Sequence, residues 1–351
     1  MCRASVVVPV YNVLPYLDEC LASVCAQTLS DVEVVCVDDG STDGSGQACE
    51  AWTSRDARVR VLHKENGGLS SARNAGIDAA RGTYLFFLDA DDALEPDALE
   101  RICAAFDETN ADVVTFGATC FPEAATPWLE RCLSPREVVY EQFSPALLLS
   151  ESSNPFAWRT ACKRDWLVTS GVRFDEGVRY GEDTIWHFCL YPASRRTALV
   201  PDKVYRYRLN RAGSLMSSDA KGSARRVADH VTIVEHVFAA WDAAGLLDTW
   251  GAELVGWSVA YVLYAALRQP EGPERDESLR RLKELYQRYV FPRQERLRLA
   301  PSVHQMVLLA LGTCSLPAGA VCLWWRIHEY GIVDLVQTVL GRGGSRSGSG
   351  E

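Results

Sequence analysis

The 351-residue sequence predicts an α/β fold: a mainly parallel sheet flanked by helices, followed by a helical C-terminal region. Three observations carry this. Five short apolar runs fall in the first 120 residues, stretches of helical periodicity alternate with them, and from Asp219 onward the pattern is helical.

The runs cover residues 5–10, 32–37, 59–63, 84–88 and 112–116. A strand apolar on both faces suits a parallel sheet covered by helices on each side. Between the runs, Leu17, Cys20, Leu21 and Val24 share one helical face, as do Ala98, Leu99, Ile102 and Phe106. The alternation gives a doubly wound sheet, in which ligands bind beyond the carboxyl ends of the strands. Residues 1–118 and 119–218 are expected to form two halves of one domain, the second half being richer in aromatics and turns. A helical region over 219–341 follows, with amphipathic stretches at 224–244, 252–267 and 278–289. The Gly/Ser/Arg tail 342–351 is expected to be disordered.

Hydrophobic residues make up 48% and charged residues 23%, an ordinary globular balance with a sizeable core. The net charge of -10 excludes a nucleic-acid binder, which needs a basic face. From Arg280 onward ten Lys/Arg face five Asp/Glu, a net +5 that leaves -15 on the rest. Such a basic tail suits peripheral contact of 280–341 with an anionic membrane; solvated helix surfaces give the same balance. Residues 306–325 carry no charge over twenty positions, long enough to span a bilayer. Pro317, between Gly312 and Gly319, breaks that stretch. A buried helical hairpin or an interfacial anchor is expected instead, and Trp324-Trp325-Arg326 suits the anchor.

The twelve cysteines contain no C-x-x-C pair, and Cys20, Cys36, Cys103 and Cys189 lie in apolar runs. They read as reduced core residues of a cytoplasmic protein. The apolar stretch 6–10, interrupted by Pro9, is too short for a signal peptide.

Acidic residues cluster at the predicted strand ends. Asp89-Ala90-Asp91-Asp92 follows the fourth run, and three carboxylates there are costly unless a cation neutralises them. A hard divalent ion takes oxygen ligands and shares its shell with substrate phosphates; capping of the helix after Pro96 is the competing role. The second run ends in Asp38-Asp39-Gly40-Ser41-Thr42-Asp43-Gly44, where a carboxylate can accept the imide N–H of a uracil and Ser41 or Asp43 can cap the next helix. Pro9-Val10-Tyr11-Asn12 sets an aromatic ring at the same edge. Asn66-Gly67-Gly68 opens a helix that turns Arg73 toward that edge, where a guanidinium suits a pyrophosphate; a surface salt bridge to Asp78 or Asp92 is the alternative. His63, Trp186 and His187 lie on strand or helix patterns and read as packing residues.

Four of these motifs, in this order, resemble glycosyltransferase family 2: SVVVPVYN, VVCVDDGSTDGS, NGGLSSARNAGIDAARGTYLFF and LDADD. The resemblance is strong over residues 5–119 and reduces to isolated motifs over 163–217. It implies a GT-A fold, inversion at the anomeric carbon, Mn2+ or Mg2+ as cofactor, a nucleotide-sugar donor (a UDP-sugar by the uridine-type motif) and a saccharide or lipid-linked acceptor in cell-envelope or polysaccharide synthesis. Carried over by position, Pro9, Tyr11 and Asp39 become uridine contacts, and Asn66 and Arg73 nucleotide and pyrophosphate contacts. Asp89 becomes a ribose and metal-shell carboxylate and Asp91 the direct metal ligand. Glu182-Asp183 resembles the family's acid pair at a helix start, Asp183 as general base and Glu182 as a sugar contact; a helix cap is the alternative. Tyr205-Arg206-Tyr207-Arg208, then Arg211, Gly213 and Ser214, resemble the family's loop that closes over the diphosphate. The family's commonest form has a His before that Ser, and here Gly213 stands there.

Rival classes lack their motifs. A dinucleotide oxidoreductase needs a glycine-rich turn after the first strand and a nucleotidyltransferase a glycine-rich basic loop near its start, and no nucleophile motif such as G-x-S-x-G appears. A silent nucleotide-sugar-binding scaffold is the remaining alternative, and intact Asp91 and Asp183 favour the enzyme.

Overall fold

The computed structural model describes residues 2–151, 156–210 and 224–341, with side chains described as far as 329. Arg211, Gly213 and Ser214, and the tail from 342, lie outside the described residues. Two compact units divide the chain, Met1–Ser218 and Asp219–Glu351.

In the first unit, strands and helices alternate at first. β1 (Ala4–Val10), α1 (Leu14–Cys25), β2 (Val32–Asp38), α2 (Ser45–Arg55), β3 (Val59–His63), α3 (Leu69–Ala79) and β4 (Tyr84–Phe87) follow one another. Then come β5 (Ala93–Leu94), α4 (Ala98–Thr109), β6 (Val113–Phe121), α5 (Pro127–Cys132), β7 (Val138–Tyr140) and α6 (Ala146–Leu149). β8 (Thr160–Lys163), α7 (Arg164–Ser170), α8 (Glu182–Ala193) and β9 (Thr197–Arg208) complete the unit.

The described strands form one mixed nine-stranded sheet, ordered β3-β2-β1-β4-β8-β6-β9-β5, with β7 also on β9. β1 pairs in parallel with β2 and β4, and β2 with β3. Every residue of β1, β2 and β4 is buried, as strands covered on both faces require. The fifth apolar run becomes β6, parallel to β9 but antiparallel to β8, so the sheet is parallel in its first half and mixed in its second.

Helix faces follow the sequence. α1 begins at a proline in its first turn, where no N–H is needed, and buries Leu17, Cys20, Leu21 and Val24. α4 buries Ala98, Leu99, Ile102, Cys103 and Phe106. α3 lies so close to β1 that a Cβ on Gly76 would stand 2.2 Å from Val7 Cγ1. That close approach brings Arg73 to the sheet's end. No disulfide joins the described cysteines, and Cys20, Cys36, Cys49, Cys103 and Cys162 are buried.

The second unit is helical: α9 (Ala224–Ala243), α10 (Leu247–Ser258), α11 (Tyr264–Leu267), α12 (Pro273–Tyr289), α13 (Pro301–Leu311) and α14 (Ala318–Gly341). α9 buries Val231, Val234, Val237, Phe238 and Trp241, and α12 buries Leu282, Leu285 and Tyr286. A π-helical turn, Val259–Leu263, joins α10 to α11. Among the described residues the continuous stretch Leu247–Leu267 has the length and mean hydropathy (1.2) to cross a membrane, and 44% of it is buried within the protein. The uncharged stretch 306–325 is split, as Pro317 suggested: α13 ends at Leu311, Gly312 takes a positive φ of 75°, and α14 starts at Ala318.

Candidate active site

The acidic motifs converge at the carboxyl ends of β1, β2 and β4. The Asp39 amide donates to the Val10 carbonyl (2.9 Å), which ties the end of β2 to β1. Asp39 itself is buried, and its carboxylate accepts from the amides of Gly67 (2.9 Å) and Gly68 (2.8 Å) and from Lys64 Nζ (2.6 Å). Asp39 therefore holds the glycine turn that opens α3. Gly40 permits this with φ 77°, since a Cβ there would lie 3.0 Å from the Asn66 amide. Pro9 is buried within β1, while Tyr11 is half exposed and Asn66 exposed at this edge. Asp43 serves the loops, accepting from the Leu14 amide (3.1 Å) and the Ser45 hydroxyl (2.6 Å).

The second group follows β4. Asp92 does not cap α4. It is buried, its Oδ2 accepts from the Tyr205 hydroxyl (2.7 Å), and its Oδ1 accepts from the Arg208 amide (2.7 Å). Burial first, then the charges of Asp91 and Asp89, push its carboxyl well above the usual range. The same Tyr205 oxygen accepts the Asp89 amide (3.1 Å), and Arg208 Nε donates to the Asp91 carbonyl (2.7 Å). β9 thus fixes the backbone of the acidic turn, so Tyr205–Arg208 form a strand and not part of a closing loop. Trp158, buried, stacks on Tyr205 at 4.2 Å and on Tyr207 at 5.1 Å.

Arg73 links the two halves of the unit. Its side chain is 1% exposed. Nη2 donates to Asp89 Oδ1 (2.9 Å), and Nη1 to Asp183 Oδ1 (2.6 Å) and Glu182 Oε1 (3.2 Å), while the guanidinium stacks on Phe174. Burial alone would lower its pKa; Asp183, Asp89 and Glu182 overcome that and raise it. The resemblance implied a pyrophosphate partner for Arg73, whereas its Nη atoms here hold carboxylates.

Glu182 and Asp183 open α8, where the N-cap Gly181 takes φ 78°. Their place in the first turn of a helix favours their charge. Asp183 Oδ2 accepts from the Ala157 amide (3.1 Å). The Asp183 carbonyl accepts from His187 Nδ1 (2.7 Å), which places the ring's lone pair on Nε2, facing the Thr160 hydroxyl (3.0 Å). Burial pushes His187 down to about 3, so it is a neutral pin on α8. Trp186 stacks on Phe174 at 4.6 Å. His63 is a surface link, bonded to Asp38 and Glu50 at 2.8 Å each. Burial, then neighbouring Asp183, push Glu182 up to about 7.

Among the described residues one guanidinium faces Asp89, Glu182 and Asp183, and Asp91 lies in the same turn as Asp89. That donor set, all hard oxygens, fits a divalent cation. Among the described residues no three His, Cys, Asp or Glu side chains are gathered into a ready-made metal site. Asp89 and Asp91 would therefore share such an ion with oxygens brought by the substrate.

Trp158, Lys64 and the Ala157 amide were not found from the sequence, and Tyr205 was named only with the closing loop. Tyr205 and Tyr207 did give a signal, two aromatics at strand spacing, but nothing local pairs them with Trp158 or Asp92.

Comparison with known proteins places this geometry. The model described as glycosyl transferase family 2 matches residues 5–158. The uncharacterized glycosyltransferase EpsJ of Bacillus subtilis is 35% identical over 209 residues, 59% of this chain and 61% of its own length. Glycosyltransferase GlyG of Streptococcus pneumoniae is 31% identical over 225 residues, 61% of this chain and 73% of its own. The chain thus spans less than two thirds of the EpsJ length. Among solved structures, S. aureus TarS 1–349 in complex with UDP-GlcNAc superposes with a TM-score of 0.71 at 21% identity, covering 93% of each chain. The match in sequence covers the motif-bearing strands and the match in fold extends over the helical region, so the chain belongs to glycosyltransferase family 2 and has the GT-A fold.

Proposed function

We propose that this protein is an inverting, metal-dependent hexosyltransferase that uses a UDP-sugar and glycosylates a saccharide or lipid-linked saccharide of the cell envelope. The observation that carries the reading is the Arg73 bridge, which joins a carboxylate from the β4 end (Asp89) to two from the α8 start (Glu182 and Asp183). Residues 1–118 bind the nucleotide and 119–218 the acceptor. Tyr11 offers the base a stacking face, with Pro9, Asp39 and Asn66 beside it. Arg211 and Ser214 contact the donor, and Arg73 reaches the pyrophosphate through the acids it orders.

Asp183 accepts the acceptor's hydroxyl proton as that oxygen bonds to the anomeric carbon from the face opposite the nucleotide. The bond from that carbon to the phosphate oxygen breaks, and its electron pair leaves with the diphosphate. One displacement inverts the centre, and Glu182 holds the sugar. Asp89 and Asp91 are the residues that would hold Mn2+ or Mg2+, whose chemistry is to neutralise the leaving diphosphate. Arg73 and the Ala157 amide aim the two Asp183 oxygens before the acceptor arrives.

We place the protein in the cytoplasm, with peripheral contact through 280–341 to the inner membrane face, where lipid-linked acceptors lie. Hydrolysis of a panel of UDP- and GDP-sugars with manganese tests the reading. Turnover of one UDP-sugar is expected, lost in Asp91→Ala and lowered about 10²–10⁴-fold in Asp183→Asn. Turnover unchanged in both variants would defeat it, and UDP binding without any turnover would favour the scaffold.

A further inference from the structure

We propose that the second unit docks on an anionic lipid bilayer along one edge: Phe291, the groove beside it, and the loop from α13 to α14. This deepens the membrane contact proposed above and rests on it. Within the second unit, the large apolar side chains left exposed among the described residues are Phe291, Leu316 and Leu323. All three fall in one stretch of 33 residues, 291–323.

The stretch is continuous in space as well as in sequence. Beside Phe291 lies a groove of about 170 Å³ lined by Val290, Leu297, Leu299, Val307, Leu308 and Leu311. Its far end, Leu311, is the last residue of α13. The loop that follows and the first turn of α14 are uncharged and exposed over 312–320 except at half-buried Cys314. It is folded against α13: the Thr313 amide donates to the Leu308 carbonyl (3.0 Å) and Cys314 Sγ lies 3.4 Å from Gln305 Oε1. Leu316 is therefore presented on a structured turn.

Charge selects the partner. Arg298 lines the groove and Arg296 is exposed just before it, and neither has a carboxylate partner among the described residues. Between Arg293 and Arg326, Glu295 is the one acidic residue. Apolar side chains beside unpaired arginines match a bilayer surface, where side chains enter the acyl boundary and cations meet anionic headgroups. A second copy pressed on the same patch would set arginines against arginines. The groove takes the end of an alkyl chain but is too small for a helix.

The test is co-sedimentation of the full chain with phosphatidylcholine vesicles, with and without phosphatidylglycerol. Binding is expected only with the anionic lipid. The double variant Arg296→Glu, Arg298→Glu should weaken it at least about twentyfold. Phe291→Ser with Leu316→Ser should weaken it about tenfold or more. Val139→Ser, an exposed apolar position in the first unit, should bind as the parent does. Donor hydrolysis in solution should be unchanged in all of these variants, so loss of hydrolysis and loss of lipid binding are read separately. Hydrogen exchange of the unmodified chain needs no variant to fold: vesicles should protect amides over 291–320. Equal binding to neutral vesicles, no binding, unchanged affinity in the variants, or protection elsewhere would overturn the proposal. So would a lipid-free dimer that Phe291→Ser dissolves, because it would assign this face to a second copy.

Discussion

Replacing Arg73 by methionine removes the buried cation that, among the described residues, holds Asp89, Glu182 and Asp183 together, and the consequence can be worked from the geometry. The guanidinium lies 2.6–3.2 Å from an oxygen of each acid and is 1% exposed, while the acids are 26%, 15% and 18% exposed. Breaking a buried ion pair from one side costs about 3–5 kcal/mol, and the partial exposure of the acids puts this case near about 3 kcal/mol. Methionine keeps much of the packing against Phe174, so the loss is mainly electrostatic. Its pH dependence follows from sign. Glu182, already pushed up to about 7 beside Arg73, rises further once that cation is gone. A raised carboxyl favours the folded chain while protonated and disfavours it once ionised, and more so in the variant, so the penalty grows with rising pH. Urea unfolding of parent and variant, followed at the first unit's transition, should show a gap of about 3 kcal/mol at pH 8, falling to about 1 kcal/mol at pH 5. Adding Glu182→Gln and Asp183→Asn to the variant should recover most of the loss at pH 8. A gap of equal size at both pH values would show that Arg73 acts by packing alone. No gap would remove the bridge from the argument altogether.

Two further outcomes follow from the framework around the site. Gly76→Ala forces a Cβ to within 2.2 Å of a Val7 methyl, an overpacking worth about 1–3 kcal/mol, and Val7→Ala in the same chain should return part of it; additive losses in thermal unfolding would contradict the close approach. His187 is held near 3 when folded against 6.5 when free, so its stability is present above pH 6.5 and is lost as pH falls toward 3. The parent should lose about 1.4 kcal/mol per pH unit from this group through that window, and His187→Gln should lack that slope; parallel stability curves would contradict a buried neutral ring.

The parallel half of the sheet was legible because each of its strands carries its own evidence. β1, β2 and β4 are apolar at nearly every position, so periodicity identified them without reference to their neighbours, and the buried faces of α1 and α4 fell on the predicted residues. β8 gave no such signal. It has four residues, Thr160–Lys163, and becomes a strand by pairing antiparallel with both β4 and β6. The mainly parallel sheet that was expected turns mixed there, and the sequence does not mark the place, since direction within a sheet depends on where the chain returns.

The site divides along the same line between local and distant determinants. Each acid stood in a motif of its own, readable because carboxylates at the ends of apolar runs need a partner. Their true partners are far away in sequence: Tyr205 donates to Asp92 across 113 residues, and Arg73 meets Asp183 across 110. The resemblance sent Arg73 to a phosphate, and the fold uses its Nη atoms on carboxylates. These two assignments are compatible in charge. Among the described residues one guanidinium stands against Asp89, Glu182 and Asp183, and burying three carboxylates around one cation does little for stability alone. A divalent ion arriving with a diphosphate would neutralise the acids and the phosphates together.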